Sequence, residues 1–209
     1  MKVRSSGQVL LLNGTSSSGK GSIARELLDL LEAPHFHMEV DAFNAMRSKE
    51  RSLALSESEL ESVLWHTRAG FHRAVAGMAR AGNDVVMDYV LSEPWRLTDC
   101  LNVFEGITVV FVGVRCELPE LERRERERGD RPAGLARSQV DIVHSFGLYD
   151  LEVWTDRMLP RAAAEFIVES LEDVELVTAF DRLRTQQSVQ QDVPTQRARR
   201  DSNPYPSDP

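Results

Sequence analysis

Apolar residues fall along this chain in short runs separated by longer stretches with three- and four-residue spacing. Gln8–Asn13 is the first run and reads as a buried strand. Residues 22–32 place Ile23, Leu27, Leu30 and Leu31 on one helical face, closed by Pro34. Residues 35–40 alternate and predict a second strand, ending at Asp41. Residues 42–55 are polar and irregular, with local helix. From Ser58 the pattern is strongly helical through Leu60, Val63, Leu64, Thr67, Phe71, Val75 and Met78, and Gly82-Asn83 stops it. Residues 84–91 predict a third strand with Asp88 inside it. A helix over 94–104 leads to the clearest buried strand, 107–114. Leu118–Arg128 reads as a charged helix with Pro119 in its first turn, 129–133 as a loop and 135–146 as a helix. Residues 149–154 predict the last strand and 160–171 a further helix. Strands alternating with helices predict an α/β fold, a parallel sheet covered on both faces. Apolar residues thin out after Arg184, so one domain is expected over 1–183 and a disordered tail over 184–209. The tail carries a small basic cluster, Arg197, Arg199 and Arg200.

Composition narrows the function classes. The 209 residues carry a formal net charge of −8, which argues against nucleic acid or anionic lipid as a bulk-charge partner. The apolar run near the start, Val9–Leu12, is too short for a signal-peptide core or a membrane span. Cys100 and Cys116 are too few for a disulfide framework and form no CxxC pair, so a reduced, cytoplasmic setting is expected. Asn13-Gly14-Thr15 matches a glycosylation sequon by spelling only. The only lysines are Lys2, Lys20 and Lys49.

One of those lysines completes a motif. Gly14-Thr15-Ser16-Ser17-Ser18-Gly19-Lys20 fits G-x-x-x-x-G-K, directly between an apolar strand and an amphipathic helix. Glycines let such a loop turn its N–H groups inward, and the helix N-terminus adds positive potential. The expected nucleotide-binding set is Gly14 to Ser22, with Lys20 facing the outer phosphates. The hydroxyl residue that usually meets Mg2+ after the lysine is replaced by Gly21, and Ser22 follows. The Gly-Lys-Gly-Ser order resembles nucleoside-monophosphate kinases. By that analogy Mg2+ is held through phosphate oxygens and waters, with Ser22 and Asp88 as the protein groups beside it.

A kinase also needs a base for the acceptor hydroxyl, and in a parallel sheet such groups lie at the strand carboxyl ends. Asp41 and Asp88 both fall there. Asp41 reads as a base or as a helix N-cap before Ala42. Asp88 reads as a substrate-side carboxylate or as a fastener of the phosphate loop, and Tyr89 joins the candidate acceptor-binding set. In the charged helix, Arg124, Arg128 and Arg131 recur at four- and three-residue steps. They are a cationic lid over about 123–137 that meets phosphoryl charge, or part of a solvated ion-pair ladder. His35 and His37 share a strand face but show no third metal ligand. Trp65 and Trp95 are candidates for stacking on an acceptor or for the core.

With these segments in order, the chain resembles the chloramphenicol phosphotransferase-like kinases. The resemblance rests on Leu11-Leu12-Asn13-Gly14 through Gly19-Lys20, Val40-Asp41, Met78 to Gly82, and Val112-Gly113-Val114-Arg115-Cys116. It continues through Arg128-Gly129-Asp130-Arg131, Val143-His144 and Tyr149 to Val153. It implies a five-stranded parallel sheet in the order 2-3-1-4-5 and ATP-dependent phosphoryl transfer to a hydroxyl of a small molecule. Asp41 would be the base, and Lys20, Arg128 and Arg131 would handle phosphate charge. Three departures stand out: Gly21, Trp154 in place of an aspartate before Thr155, and the segment between Asp41 and Ser58. The alternatives carried forward are a nucleotide or sugar kinase and a non-catalytic nucleotide-binding module. The acceptor and the oligomeric state stay open.

Overall fold

The structure is a computed structural model that describes residues 6–129 and 134–191. Its centre is a five-stranded parallel sheet in the order β2-β3-β1-β4-β5. The strands are β1 Gln8–Asn13, β2 His35–Glu39, β3 Asp84–Tyr89, β4 Thr108–Arg115 and β5 Leu151–Trp154. The helices are α1 Lys20–Leu30, α2 Val40–Ala45, α3 Lys49–Leu53, α4 Glu57–Arg80, α5 Pro94–Val103, α6 Leu118–Arg128, α7 Leu135–Val143, α8 Pro160–Ser170 and α9 Ala179–Gln191.

The middle of β1, residues 9–12, is apolar throughout because both its faces are covered. Val9 and Leu11 point into a core shared with α4, α5 and α9, while Leu10 and Leu12 point into a second core under α1 and α8. Each successive strand residue changes face, so an unbroken apolar run is what a central strand requires. Helix ends follow local chemistry. Ser56 and Glu59 form a capping box that starts α4 one residue earlier than the periodicity predicts. Pro94, Pro119 and Pro160 sit in the first turns of their helices, where a missing N–H costs nothing.

Two expectations change. Asp41 does not end a strand: β2 stops at Glu39, and Asp41 lies in the first turn of α2, whose N-cap is Glu39. Asp41 is therefore not the N-cap either. The expected boundary at 184 falls inside α9, which continues to Gln191. Arg184 Nε donates to the Leu101 carbonyl at 2.9 Å and Gln187 Nε2 to Thr98 Oγ1 at 2.5 Å. Polar bonds to α5 thus carry the helix past Leu183, its last buried apolar side chain among the described residues. The rest of the expected tail, with Arg197, Arg199 and Arg200, lies outside the described residues.

Several segments behind the family resemblance fasten this scaffold. A Cβ at Gly113 would lie 2.9 Å from the Tyr149 ring, so only glycine lets that ring lie on β4. Asp150 accepts from the backbone N–H of Phe111 at 2.8 Å and of Ala179 at 2.6 Å, tying the start of α9 to β4. Arg115 pairs with Glu152 through two bonds, at 2.8 and 3.0 Å.

Candidate active site

The loop between β1 and α1 turns sharply. Gly19 is left-handed at φ +91°, and Ser17 takes φ +62°. A Cβ at Gly14 would lie 2.4 Å from the Val114 carbonyl oxygen, so the chain can leave β1 there only as glycine. The loop is anchored from several sides. Thr155 Oγ1 donates to the Ser18 carbonyl at 2.8 Å, and Ser16 N–H donates to Gln139 Oε1 of α7 at 2.7 Å. Asn13 is fully buried: its Nδ2 donates to the Val143 carbonyl and to Tyr149 Oη, and its Oδ1 accepts from Leu91 N–H. That burial removes the sequon spelling from consideration.

Lys20 is 6% exposed, and its ammonium donates to the Thr15 carbonyl at 2.8 Å. Asp88 Oδ1 lies 3.7 Å away. A Cβ at position 21 would lie 3.2 Å from Asp88 Oδ2. The carboxylate therefore comes up against the place left open where a hydroxyl residue usually stands.

Sheet register builds a cluster beside it. Glu39 pairs with Asp88 across β2 and β3, and His37 precedes Glu39 by two residues on the same face. His37, Glu39 and Asp88 offer ligand atoms all within 4.8 Å of one another. His37 Nε2 is buried without a hydrogen-bond partner. The partners of His37 are thus carboxylates and not His35, whose Nδ1 meets the Ala33 carbonyl at 2.7 Å instead. The oxygen donors suit Mg2+, and the imidazole also suits Mn2+.

These groups line one cleft of about 1210 Å³ with Asp41, Arg124, Arg128, Gln139 and Thr155. Arg124 is held by Thr155, whose oxygens it meets at 2.9 and 2.7 Å, and by Glu120 at 2.7 Å. Arg128 reaches the cleft from the last turn of α6. Arg131 falls in 130–133, outside the described residues. Ser22 lines the cleft, and Arg25 donates to its Oγ at 3.2 Å. Tyr89 lines it too, from the end of β3. Trp65 and Trp95 pack on each other with ring centroids 5.2 Å apart and are not among the cleft-lining residues.

Sequence reasoning missed Glu39, Arg68, Arg96, Gln139 and Thr155. The alternation of β2 could have pointed to Glu39, which shares a face with His37. The others carry no motif and come together only through the topology.

A sequence match over residues 7–172 to the description "chloramphenicol phosphotransferase-like protein" decides the family. The chain belongs to the chloramphenicol phosphotransferase-like family. A Mycobacterium tuberculosis H37Rv protein, named provisionally as an O-phosphotransferase, is 32% identical over 85% of this chain and 88% of its own length. A sugar kinase from Janibacter sp. HTCC2649 superposes with TM-score 0.57 at 21% identity, covering 80% of this chain and 95% of that one. The APS kinase of M. tuberculosis, solved with AMPPNP and APS, gives TM-score 0.57 at 19% identity over 81% and 99% of the two chains. The fold of this family member is that of the P-loop kinases. No helix among the described residues is long and apolar enough to cross a membrane.

Proposed function

We propose that the chain moves the γ-phosphoryl group of ATP to a hydroxyl of a small molecule. The observation that carries this reading is that the glycine loop, the buried Lys20 and the Asp41 carboxylate line one cleft. Family membership and the P-loop kinase fold support a small-molecule kinase.

In this reading the loop N–H groups from Gly14 to Ser22 and the Lys20 ammonium hold the β- and γ-phosphates. Asp41 accepts the proton of the acceptor hydroxyl. The hydroxyl oxygen bonds to the γ-phosphorus as the bond to the β–γ bridging oxygen breaks, and ADP leaves. Arg124 and Arg128 face the charge spread over the transferring group, with Arg131 in the same role on the lid. Asp88 and Glu39, with His37 beside them, would hold Mg2+; when bound, the cation neutralises phosphate charge. Thr155 and Glu120 keep the Arg124 guanidinium in place before the nucleotide arrives.

The test is incubation with ATP, Mg2+ and a library of hydroxyl-bearing metabolites and antibiotics, reading a phosphate-sized mass gain. The expected result is a gain on an alcohol that disappears with Asp41→Asn. Turnover at the wild-type rate in that variant rejects Asp41 as the base. Tight ATP binding with no transfer to any acceptor rejects the kinase reading and leaves a nucleotide-binding module.

A further inference from the structure

Arg68 of α4 and Arg96 of α5 line the cleft on the side built by α4, the end of β3 and α5. Neither belongs to a phosphate motif, and no step of the proposed transfer uses them. Arg96 is 6% exposed. Its Nη1 donates to the Val90 carbonyl at 2.8 Å and its Nη2 bonds Glu93, while its Nε is buried without a partner. Arg68 is half-buried, and among the described residues it makes no hydrogen bond or ion pair. Burial, and then the positive charge of Arg96, lower its pKa from the usual guanidinium value. Tyr89 is 1% exposed, lines the same cleft, and has a buried hydroxyl without a hydrogen-bond partner. The Arg96 guanidinium carbon lies 5.8 Å from the Tyr89 ring centroid.

Buried polar groups are nearly always paired, so unpaired donors lining one wall of a cleft ask for a ligand. The charge count says which kind. Glu93 is in contact with Arg96, whereas Arg68 feels Glu93 and Glu61 without an ion pair to either, so its guanidinium is the one on this wall still open to a contact anion. Of the cleft carboxylates, Glu39 and Asp88 are taken up by the cation in the kinase reading, which leaves Asp41 to oppose a second negative charge on the acceptor. A planar monoanion fits a guanidinium fork in the way a hydrated ammonium would not.

We infer that the hydroxyl acceptor carries one carboxylate-class anionic group, held by Arg68 with Arg96 Nε and the Tyr89 hydroxyl as further donors. This rests on the kinase reading and names its acceptor class: a small hydroxymonocarboxylate. A neutral alcohol of the chloramphenicol kind would leave these donors unmet.

The experiment uses the full chain with AMPPNP and Mg2+. A panel of small hydroxymonocarboxylates, each paired with its primary amide and with a phosphorylated analogue, is titrated by thermal shift and calorimetry. The variants are Arg68→Met, which keeps the apolar stem, and Arg68→Lys, which keeps the charge without the fork. At least one acid is expected to bind at least tenfold more tightly than its amide. Arg68→Met should weaken the acid by roughly tenfold to a hundredfold, leave the amide unchanged, and be partly rescued by Arg68→Lys. Amides binding as well as acids, acids binding Arg68→Met as tightly as wild type, a phosphorylated analogue binding best, or no acid binding at all would each overturn the inference. Labelled-ATP transfer on the same samples separates the two readings. An acid that binds in an Arg68-dependent way without being phosphorylated sinks the kinase reading alone. Transfer to neutral alcohols that is insensitive to Arg68→Met sinks the carboxylate site alone.

Discussion

A carboxylate at residue 41 and one at residue 39 are separated by a single residue, yet they sit on different elements, and the proposed mechanism gives them different work. Glu39 ends β2 and pairs in register with Asp88, while Asp41 lies in the first turn of α2 and lines the same cleft. Asp41→Asn keeps the shape and removes proton acceptance. The expected outcome is a fall in kcat of more than about a hundredfold, with AMPPNP affinity by calorimetry unchanged. Glu39→Gln removes a charged oxygen donor from the His37–Glu39–Asp88 cluster. It should raise the Mg2+ concentration for half-maximal transfer by roughly tenfold, and Mn2+ binding followed by electron paramagnetic resonance should weaken alike. Equal Mn2+ affinity in both proteins would remove Glu39 from the cation site. At this scale, what was legible depended on distance along the chain. The loop lysine announces itself through neighbours in sequence, whereas Glu39 needed the register with β3, and Arg68 and Arg96 needed two helices brought to one wall.

The charged helix α6 shows how an element can carry two roles on two faces. Arg123 bridges Glu120 and Glu127 on the outer face, the ladder its composition predicts. Glu125 is instead buried at 5% exposure and accepts from Gly134 N–H at 2.8 Å and Ala136 N–H at 3.0 Å. No side chain caps α7 from its own N-cap residue, so Glu125 supplies the acceptors for its free N–H groups. Since α7 also carries the Gln139 bond to the phosphate loop, Glu125 helps to position that loop. Glu125→Ala should loosen this joint by about 2 kcal/mol, making hydrogen exchange at Ala136 roughly thirtyfold faster under native conditions. Unchanged exchange would show that α7 holds without it. A charge pattern reveals ion pairs three and four residues apart; it does not reveal that one glutamate of the set turns inward. The same blindness set the expected domain end at 184, because apolar periodicity stops at Leu183 while the Arg184 and Gln187 bonds do not.

For the whole molecule, the strand order followed from the family resemblance, and the parallel sheet itself was legible in the apolar runs of β1, β3 and β4, which are buried on both faces. The network that ties the sheet to the cleft was not, since it joins Asn13, Leu91, Val143, His144 and Tyr149 across the chain. That network makes stability depend on pH. His144 Nδ1 lies 2.7 Å from Tyr149 Oη, and burial, reinforced by the positive charge of Arg115, lowers its pKa from 6.5 to about 4. The neutral ring can accept the Tyr149 proton; a protonated ring cannot. The unfolded chain therefore takes up a proton at higher pH than the folded one, and the unfolded state binds more protons between about pH 6.5 and pH 4. Stability from this group is full above pH 6.5 and is lost as pH falls through that window. Partial exposure screens the effect, so the loss should be about 1–2 kcal/mol between pH 8 and pH 5. His144→Gln keeps an acceptor for Tyr149 and removes the titration. Urea unfolding at both pH values should show a shallower pH dependence in the variant by that amount, and identical slopes in the two proteins would mean that the ring is not held neutral by the fold.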